Sequence, residues 1–222
     1  MEKYVIIVSG GSGQRMGGEL PKQFLLVSGK PILMHTVESF ARVSEDFKFI
    51  LVLPEAHFST WNELVDEYNF TIPVTLVSGG AERFFSVKNA LEHVPENALV
   101  AVHDGVRPFA SEKTILEAFD VAAEKGAAVP VIDEVDSLRR VQGADSQAVN
   151  RSEYKRVQTP QVFQSTMLKN AYNQEFSSLF TDDASVVESI GHAITLTTGN
   201  VENIKITTPH ELLLAEALIV RN

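Results

Sequence analysis

The chain has 222 residues, 44% of them hydrophobic and 22% charged, enough to bury a sizeable core. Its 19 basic against 29 acidic residues leave a net charge of -10, which argues against wrapping nucleic acid, where clustered positive charge supplies most of the affinity. The absence of cysteine excludes disulfides, thiolate catalysis and Cys-based zinc sites, the six histidines show no metal-ligand spacing, and no apolar run is long enough to cross a membrane.

Met1-Glu2-Lys3 is too short and too acidic to read as a signal peptide, so a cytoplasmic location is expected. Strands are expected at Tyr4–Val8, Phe49–Leu53, Val74–Val77, Leu99–Val102 and Ala127–Ile132, each rich in Val, Ile and Leu without polar alternation, as in strands covered on both faces. Helices are expected between them. Pro31–Val43 places proline at its first helical position and Ile32, Leu33, Val37 and Phe40 at helical spacing. His57–Tyr68, Phe84–His93 and Ser111–Lys125 follow, the last with Ser111 as its N-cap. This alternation predicts an α/β fold: a Rossmann-like open, mostly parallel sheet with helices on both faces.

After Ile132 the pattern changes. Ser137–Val141 and Gln147–Arg151 read as two strands joined by a turn at Gly143-Ala144-Asp145-Ser146. The stretch carries Arg139, Arg140, Arg151, Lys155 and Arg156 and too few apolar residues for a core of its own. An arm reaching onto a second subunit is the preferred reading, ahead of a loose surface hairpin. Helices are then expected at Met167–Gln174 and Asp183–Ile190, strands at Ala193–Thr197 and Ile204–Ile206, and a closing helix at Pro209–Val220. The whole is read as a single domain spanning 1–222, with an arm inserted at about 134–160.

The first strand runs directly into Ser9-Gly10-Gly11-Ser12-Gly13-Gln14-Arg15-Met16-Gly17-Gly18. A glycine-rich turn at that place lets backbone N–H groups approach phosphates closely. The Walker A motif would need a terminal Gly-Lys-Ser/Thr, which is missing, and the dinucleotide fingerprint would need a glycine where Met16 stands. A Rossmann oxidoreductase is thereby disfavoured. The loop offers two cations instead, Arg15 and Lys22, with Pro21 fixing the chain before Lys22; the plain alternative is a flexible loop with solvated charges.

Three later segments complete the pattern. Ser78-Gly79-Gly80-Ala81-Glu82-Arg83-Phe84-Phe85-Ser86 lies at a strand end, where glycines admit a flat ligand and Arg83 and Ser86 offer donors; taken alone it reads as a strand-to-helix turn capped by Ser86. His103-Asp104-Gly105-Val106-Arg107-Pro108 follows a central strand, where ligands bind in open α/β sheets. There Asp104 can help position Mg²⁺ held by phosphates and Arg107 can grip a second phosphate, while the competing role for Asp104 is a turn residue and His103 reads as structural. Lys205 sits inside the apolar Asn203–Thr207 run, which is costly unless it faces a cleft or an anion. Thr208 reads as the N-cap of the last helix, and in Thr181-Asp182-Asp183 the acids read as helix caps.

No Ser/His/Asp, Cys/His or paired-carboxylate arrangement emerges, which suits nucleotidyl transfer. A phosphate monoester is already an anionic nucleophile, and Mg²⁺-bound pyrophosphate is a good leaving group, so catalysis reduces to alignment and charge neutralisation. A module that binds a nucleotide without turning it over is the reading of another class.

Together these segments resemble the 2-C-methyl-D-erythritol 4-phosphate cytidylyltransferase family over nearly the whole chain. The carriers are Gly10–Met16, Pro21-Lys22-Gln23, Gly79–Ser86, His103–Pro108, Asp136–Arg140, Gln158-Thr159-Pro160-Gln161 and Asn203–Thr207, in that order. The resemblance implies CTP with Mg²⁺ and a polyol phosphate as substrates, and a homodimer embraced by the arm. It implies that Ser9, Gly10, Gly11, Ser12 and Gly13 cradle the nucleotide and that Arg15 and Lys22 stabilise charge on the α-phosphate. Gly79, Gly80, Arg83 and Ser86 would frame cytosine and ribose, and Asp104, Gly105 and Arg107 the phosphate end. Ser137, Arg151 and Thr159 would hold methylerythritol phosphate across the dimer interface, and Arg151 and Lys205 would orient its phosphate for attack. Departures from the family are Ser137 for threonine, Ala81 for an acid, Gly105 for alanine, and an insertion at Glu134-Val135. Ribitol 5-phosphate cytidylyltransferase shares the nucleotide motifs; Ser137-Leu138-Arg139-Arg140 and Asn150-Arg151 favour methylerythritol phosphate as acceptor.

Overall fold

The computed structural model describes residues 1–10 and 21–219. In chain order the strands are β1 (Lys3–Val8), β2 (Leu26–Val27), β3 (Lys30–Pro31), β4 (Phe47–Leu53), β5 (Val74–Ser78), β6 (Leu99–Asp104), β7 (Ala127–Asp133), β8 (Arg139–Gln142), β9 (Asp145–Ala148), β10 (Lys155–Val157), β11 (Gln161–Gln164) and β12 (Thr195–Thr198). The helices are α1 (Ile32–Ala41), α2 (Phe58–Glu67), α3 (Arg83–Leu91), α4 (Glu112–Lys125), α5 (Ser165–Tyr172), α6 (Asp183–Glu188) and α7 (Pro209–Ile219).

Among the described residues eight strands form the main sheet. β5, β4, β1 and β6 lie side by side and parallel, so their carboxyl ends share one edge. β11 then pairs antiparallel with both β6 and β7, and β12 runs parallel to β7. Ala128 pairs with Val162 and Thr195, and Val131 with Val157 and Thr198, so β10 and β11 lie along the same side of β7, opposite β12. From Lys155 to Phe163 the chain advances eight residues while β7 advances six, from Asp133 to Ala127. Gln158 N–H still donates to Pro130 O at 2.8 Å, so the two extra residues, Thr159 and Pro160, are extruded from the ladder, and the peptide between them is cis.

The central strands lack polar alternation because both faces are covered. Val5 and Ile7 of β1 pack with Leu33, Phe40, Trp61 and Phe119 from α1, α2 and α4. Ile6, between them, points the opposite way into a second layer with Phe84, Val87, Leu168 and Val187 from α3, α5 and α6. α4 starts as expected, with Thr114 N–H donating to Ser111 Oγ at 3.1 Å, and stops at Gly126, whose φ of 94° is in the region that favours glycine.

Three local readings need correction. Ile204–Ile206 belongs to no ladder among the described residues. It is an extended linker in which Ile206 N–H donates to Val106 O at 2.9 Å and the Ile206 side chain fills a third small core with Val27, Ile32 and Ala215. Its hydrophobicity serves packing, not pairing. The arm hairpin turns earlier than the sequence suggests: Gln142 pairs with Asp145, so only Gly143 and Ala144 form the turn and β9 begins inside the expected loop. The β2–β3 hairpin was not anticipated from its short apolar runs. It turns at Ser28-Gly29 with φ of 48° and 78°, and Ser28 N–H donates to Glu216 of α7.

Candidate functional site

The carboxyl ends of β1, β5 and β6 open onto a cleft with a volume of about 420 Å³. Ser9 and Gly10 follow β1, Gly80 follows β5, Arg83 and Ser86 come from the first turns of α3, Asp104 ends β6, and Lys22 and Lys205 arrive from distant loops; all line it. Gly11, Ser12, Gly13 and Arg15 lie outside the described residues.

Asp104 is the electrostatic centre. Its side chain is 12% exposed; Oδ2 lies 3.0 Å from Lys205 Nζ and 3.1 Å from Arg107 Nε, and Oδ1 lies 3.8 Å from Arg83 Nη2. Burial pushes its carboxyl up, but Arg83, Lys205 and Arg107 together hold it well below the usual carboxylate range. Arg107 is also tied to Asn203 O at 2.8 Å, which anchors the Lys205 segment beside it. Among the described residues, Lys22, Arg83, Arg107 and Lys205 outnumber Asp104, Asp183 and Glu82 around the cleft, a small positive excess in a chain of net charge -10. Such a cleft suits a polyanion.

Arg83 is held from behind. Its Nη1 lies 2.7 Å from Oδ1 of Asp183, which is fully buried. Burial alone would lower the guanidinium pKa, but Asp183 and then Asp104 outweigh it, and the net shift is upward. The two acids at 182–183 divide their work. Asp182 caps α6 as expected, with Ser185 N–H donating to its Oδ1 at 2.9 Å; Asp183 turns inward to Arg83. Adjacent acids before a helix give no sequence signal for that difference.

The glycines follow from close approaches. A Cβ on Gly80 would stand 2.3 Å from Phe85 Cβ, so the loop can fold over α3 only without one. Ser86 does not cap that helix, whose N-cap residue is Glu82; its hydroxyl instead accepts from Gly80 N–H at 3.1 Å and donates to Glu82 O at 3.2 Å, pinning the turn. A Cβ on Gly105 would stand 1.8 Å from Ser9 Oγ. Ser9 thus occupies the space an alanine at 105 would need, which accounts for that departure from the family pattern.

Thr159 is buried, and its hydroxyl is engaged within the chain. It accepts from Asp104 N–H at 3.1 Å and contacts His103 Nδ1 at 2.9 Å, while His103 Nε2 lies 2.9 Å from Arg107 O. A carbonyl can only accept, so Nε2 carries the proton and Nδ1 accepts from Thr159. His103 is therefore neutral and structural, as expected. Burial, above all, lowers its pKa to about 4. An unfolded histidine takes up a proton below about 6.5, so stability is lost as pH falls from about 6.5 towards 4, by roughly 3 kcal/mol in all. Urea unfolding at stepped pH should show this loss, reduced in His103→Gln; a flat profile over that window contradicts it.

Ser137 and Arg151 do not line the cleft of their own chain among the described residues. Both lie in the exposed arm, where Arg151 donates to Val135 O. The β8–β9 hairpin is exposed along its whole length. Gln158 and Gln161, carried in the sequence motif without a role, prove to be buried fasteners. Gln158 Nε2 donates to Asn200 O at 2.9 Å; Gln161 accepts from Ala184 N–H and donates to Asp182, both at 2.8 Å. Gln23 is another residue the sequence left without a role, donating to Ser9 O at 3.2 Å.

No group of three or more His, Asp or Glu side chains among the described residues could hold a metal ion. Asp104 already faces three cations, so a magnesium ion fits this cleft on a polyphosphate ligand better than on a protein cage.

A family model, IspD: 2-C-methyl-D-erythritol 4-phosphate cytidylyltransferase, matches residues 3–221. The protein of that name from Azobacteroides pseudotrichonymphae is 54% identical over 98% of this chain and 99% of its own. That from Phocaeicola vulgatus is 50% identical over 99% of this chain and all of its own. Among solved structures, 2-C-methyl-D-erythritol 4-phosphate cytidylyltransferase from Thermus thermophilus matches with a TM-score of 0.76 at 32% identity over 98% of each chain. The 4-diphosphocytidyl-2C-methyl-D-erythritol synthase from Anaerococcus prevotii matches with a TM-score of 0.84 at 26% identity, covering 99% of this chain and 96% of the other.

Proposed function

Because this chain belongs to the 2-C-methyl-D-erythritol 4-phosphate cytidylyltransferase family, and so transfers CMP from CTP to 2-C-methyl-D-erythritol 4-phosphate, we propose how its side chains divide that work. The products are 4-diphosphocytidyl-2-C-methyl-D-erythritol and pyrophosphate. An oxygen of the acceptor phosphate attacks the α-phosphorus of CTP in line, and the bond from that phosphorus to the pyrophosphate oxygen breaks. The nucleophile is already ionised, so no general base is needed, and the protein's task is placement and charge neutralisation.

Ser9 to Gly13 present backbone N–H groups to the triphosphate, and Gly79, Gly80, Arg83 and Ser86 shape the nucleoside end. Arg15 and Lys22 stabilise the charge that builds on the α-phosphate. Asp104 and Gly105 close the phosphate end, where Asp104 gathers Arg107 and Lys205 towards the acceptor phosphate; Lys205 orients that phosphate for attack. Thr159 acts on the acceptor site by fixing Asp104 and His103. Mg²⁺, carried on the CTP phosphates, supplies further neutralisation of the leaving pyrophosphate. The arm docks on a second copy of the chain in a cytoplasmic homodimer, and there Ser137 and Arg151 meet the acceptor bound by the partner. Their exposure and their absence from the lining of their own cleft support that arrangement. Each subunit is one nucleotidyltransferase domain with the arm inserted.

The observation that carries this assignment is the convergence of Arg83, Arg107 and Lys205 on Asp104 at the carboxyl ends of parallel strands. Pyrophosphate release with CTP and Mg²⁺ tests the reading, with methylerythritol phosphate and ribitol 5-phosphate compared as acceptors. Release with the first acceptor is expected. Release with ribitol 5-phosphate alone would reassign the acceptor site, and release with neither would leave only nucleotide binding.

A further inference from the structure

Asp183 is a buried carboxylate that neither capping nor the transfer step uses. Its Oδ1 accepts from Arg83 Nη1 and from Tyr172 Oη, both at 2.7 Å, and its Oδ2 has no hydrogen-bond partner among the described residues. Capping of α6 does not require it, since Asp182 performs that with Ser185. Burying a carboxylate and leaving one oxygen unmatched costs stability, so packing does not explain it either.

The surroundings hold Asp183 in place. Gln161 of β11 grips the start of α6 by both ends of its amide, accepting from Ala184 N–H and donating to Asp182. Arg83 therefore reaches from α3 to a fixed anchor. Of its two terminal nitrogens, Nη1 is committed to Asp183 at 2.7 Å and Nη2 stands 3.8 Å from Asp104 Oδ1, beyond hydrogen-bond range. The planar fork makes this possible, because fixing one nitrogen fixes the direction of the other. Arg83 lines the cleft in that pose.

We propose that Asp183 is a positioning residue: it draws the Arg83 guanidinium back from Asp104 and aims its second nitrogen into the cleft, at an acceptor oxygen of the bound nucleotide. Without that anchor the guanidinium collapses onto Asp104 as a closed ion pair, and its donors are lost to the ligand. This rests on the assignment of Arg83 to the nucleotide end of the site.

The test begins with the wild-type chain releasing pyrophosphate from CTP and methylerythritol phosphate; failure there removes the functional reading itself. With that activity in hand, Asp183→Asn raises KM for CTP by about 10-fold or more, the loss of one charge-assisted contact. Asp183→Asn combined with Arg83→Gln is no worse than Arg83→Gln alone, because both remove the same contact. Arg83→Lys keeps the charge but has one nitrogen for two partners, and its KM for CTP rises as in Arg83→Gln. A folded Asp183→Asn variant with wild-type KM, or losses that multiply in the double variant, overturns the proposal. Should Asp183→Asn not fold, a wild-type KM in Arg83→Lys overturns it equally.

Discussion

Lys22→Ala lowers kcat by about 10²- to 10⁴-fold and leaves the fold intact, the range seen when a donor aimed at a phosphoryl transition state is removed. The local structure explains why the two effects separate. Lys22 opens a short 3₁₀ turn, Lys22–Phe24, whose next two residues are anchored: Phe24 is buried in the core and Gln23 is buried with its amide on Ser9 O. The backbone at 22 is thus held by its neighbours, and Lys22 lines the cleft. Alanine there removes charge from the reacting end without opening a hole. Arg15→Ala is expected to act in the same way, because the loop motif pairs the two cations. Stopped assays of pyrophosphate, read beside thermal unfolding, decide this. Near-normal turnover in both variants would sink the assigned roles.

Asp104→Asn is expected to fail differently, in stability as well as in activity. The amide keeps the shape but leaves Arg83, Arg107 and Lys205 crowded around a neutral group. Lys205 and Arg83 are part-exposed at the cleft and Arg83 keeps Asp183, so the loss of stability is smaller than the about 3–5 kcal/mol of a fully buried pair, and kcat/KM should fall by roughly 100-fold as the cations spread apart. Arg107 and Lys205 then lose their carboxylate partner, so added pyrophosphate raises the melting temperature of Asp104→Asn more than that of the wild type. Equal shifts for the two proteins, or an unchanged melting temperature without ligand, would show that the carboxylate does not organise the cluster. The pH behaviour has a definite sign. The folded pKa of Asp104 is depressed, so its stabilisation is complete at neutral pH, starts to fall as pH drops through the ordinary value of 3.8, where the unfolded chain takes up the proton, and is gone once the folded carboxyl is itself protonated.

Most strands and helices were readable because burial on both faces imposes apolar runs, and because helix starts carry caps such as Ser111 and Asp182. Hydrophobicity alone misled at Ile204–Ile206, since an apolar residue plugging a core and one in a strand look alike along the chain. The exposed hairpin was legible from its lack of core-forming residues, but its register was not, because Gly143-Ala144 and the longer expected turn use the same residue types.

For the site the division is similar. The glycine loop with Lys22, the strand-end Asp104 with Arg107, and the isolated Lys205 were each marked by local pattern: breaks in periodicity, or a charge where apolar residues belong. That pattern determined the class of chemistry, a cleft for phosphates worked by cations. What the residues do to one another was decided only by folding. Asp183 as anchor for Arg83, Thr159 turned inward to His103, and Ser9 filling the space beside Gly105 are contacts between segments 56 to 100 residues apart. Local sequence records what each segment can offer; which donor meets which acceptor depends on the packing of β6, β11, α3 and α6 around one strand edge, and no stretch of the chain carries that by itself.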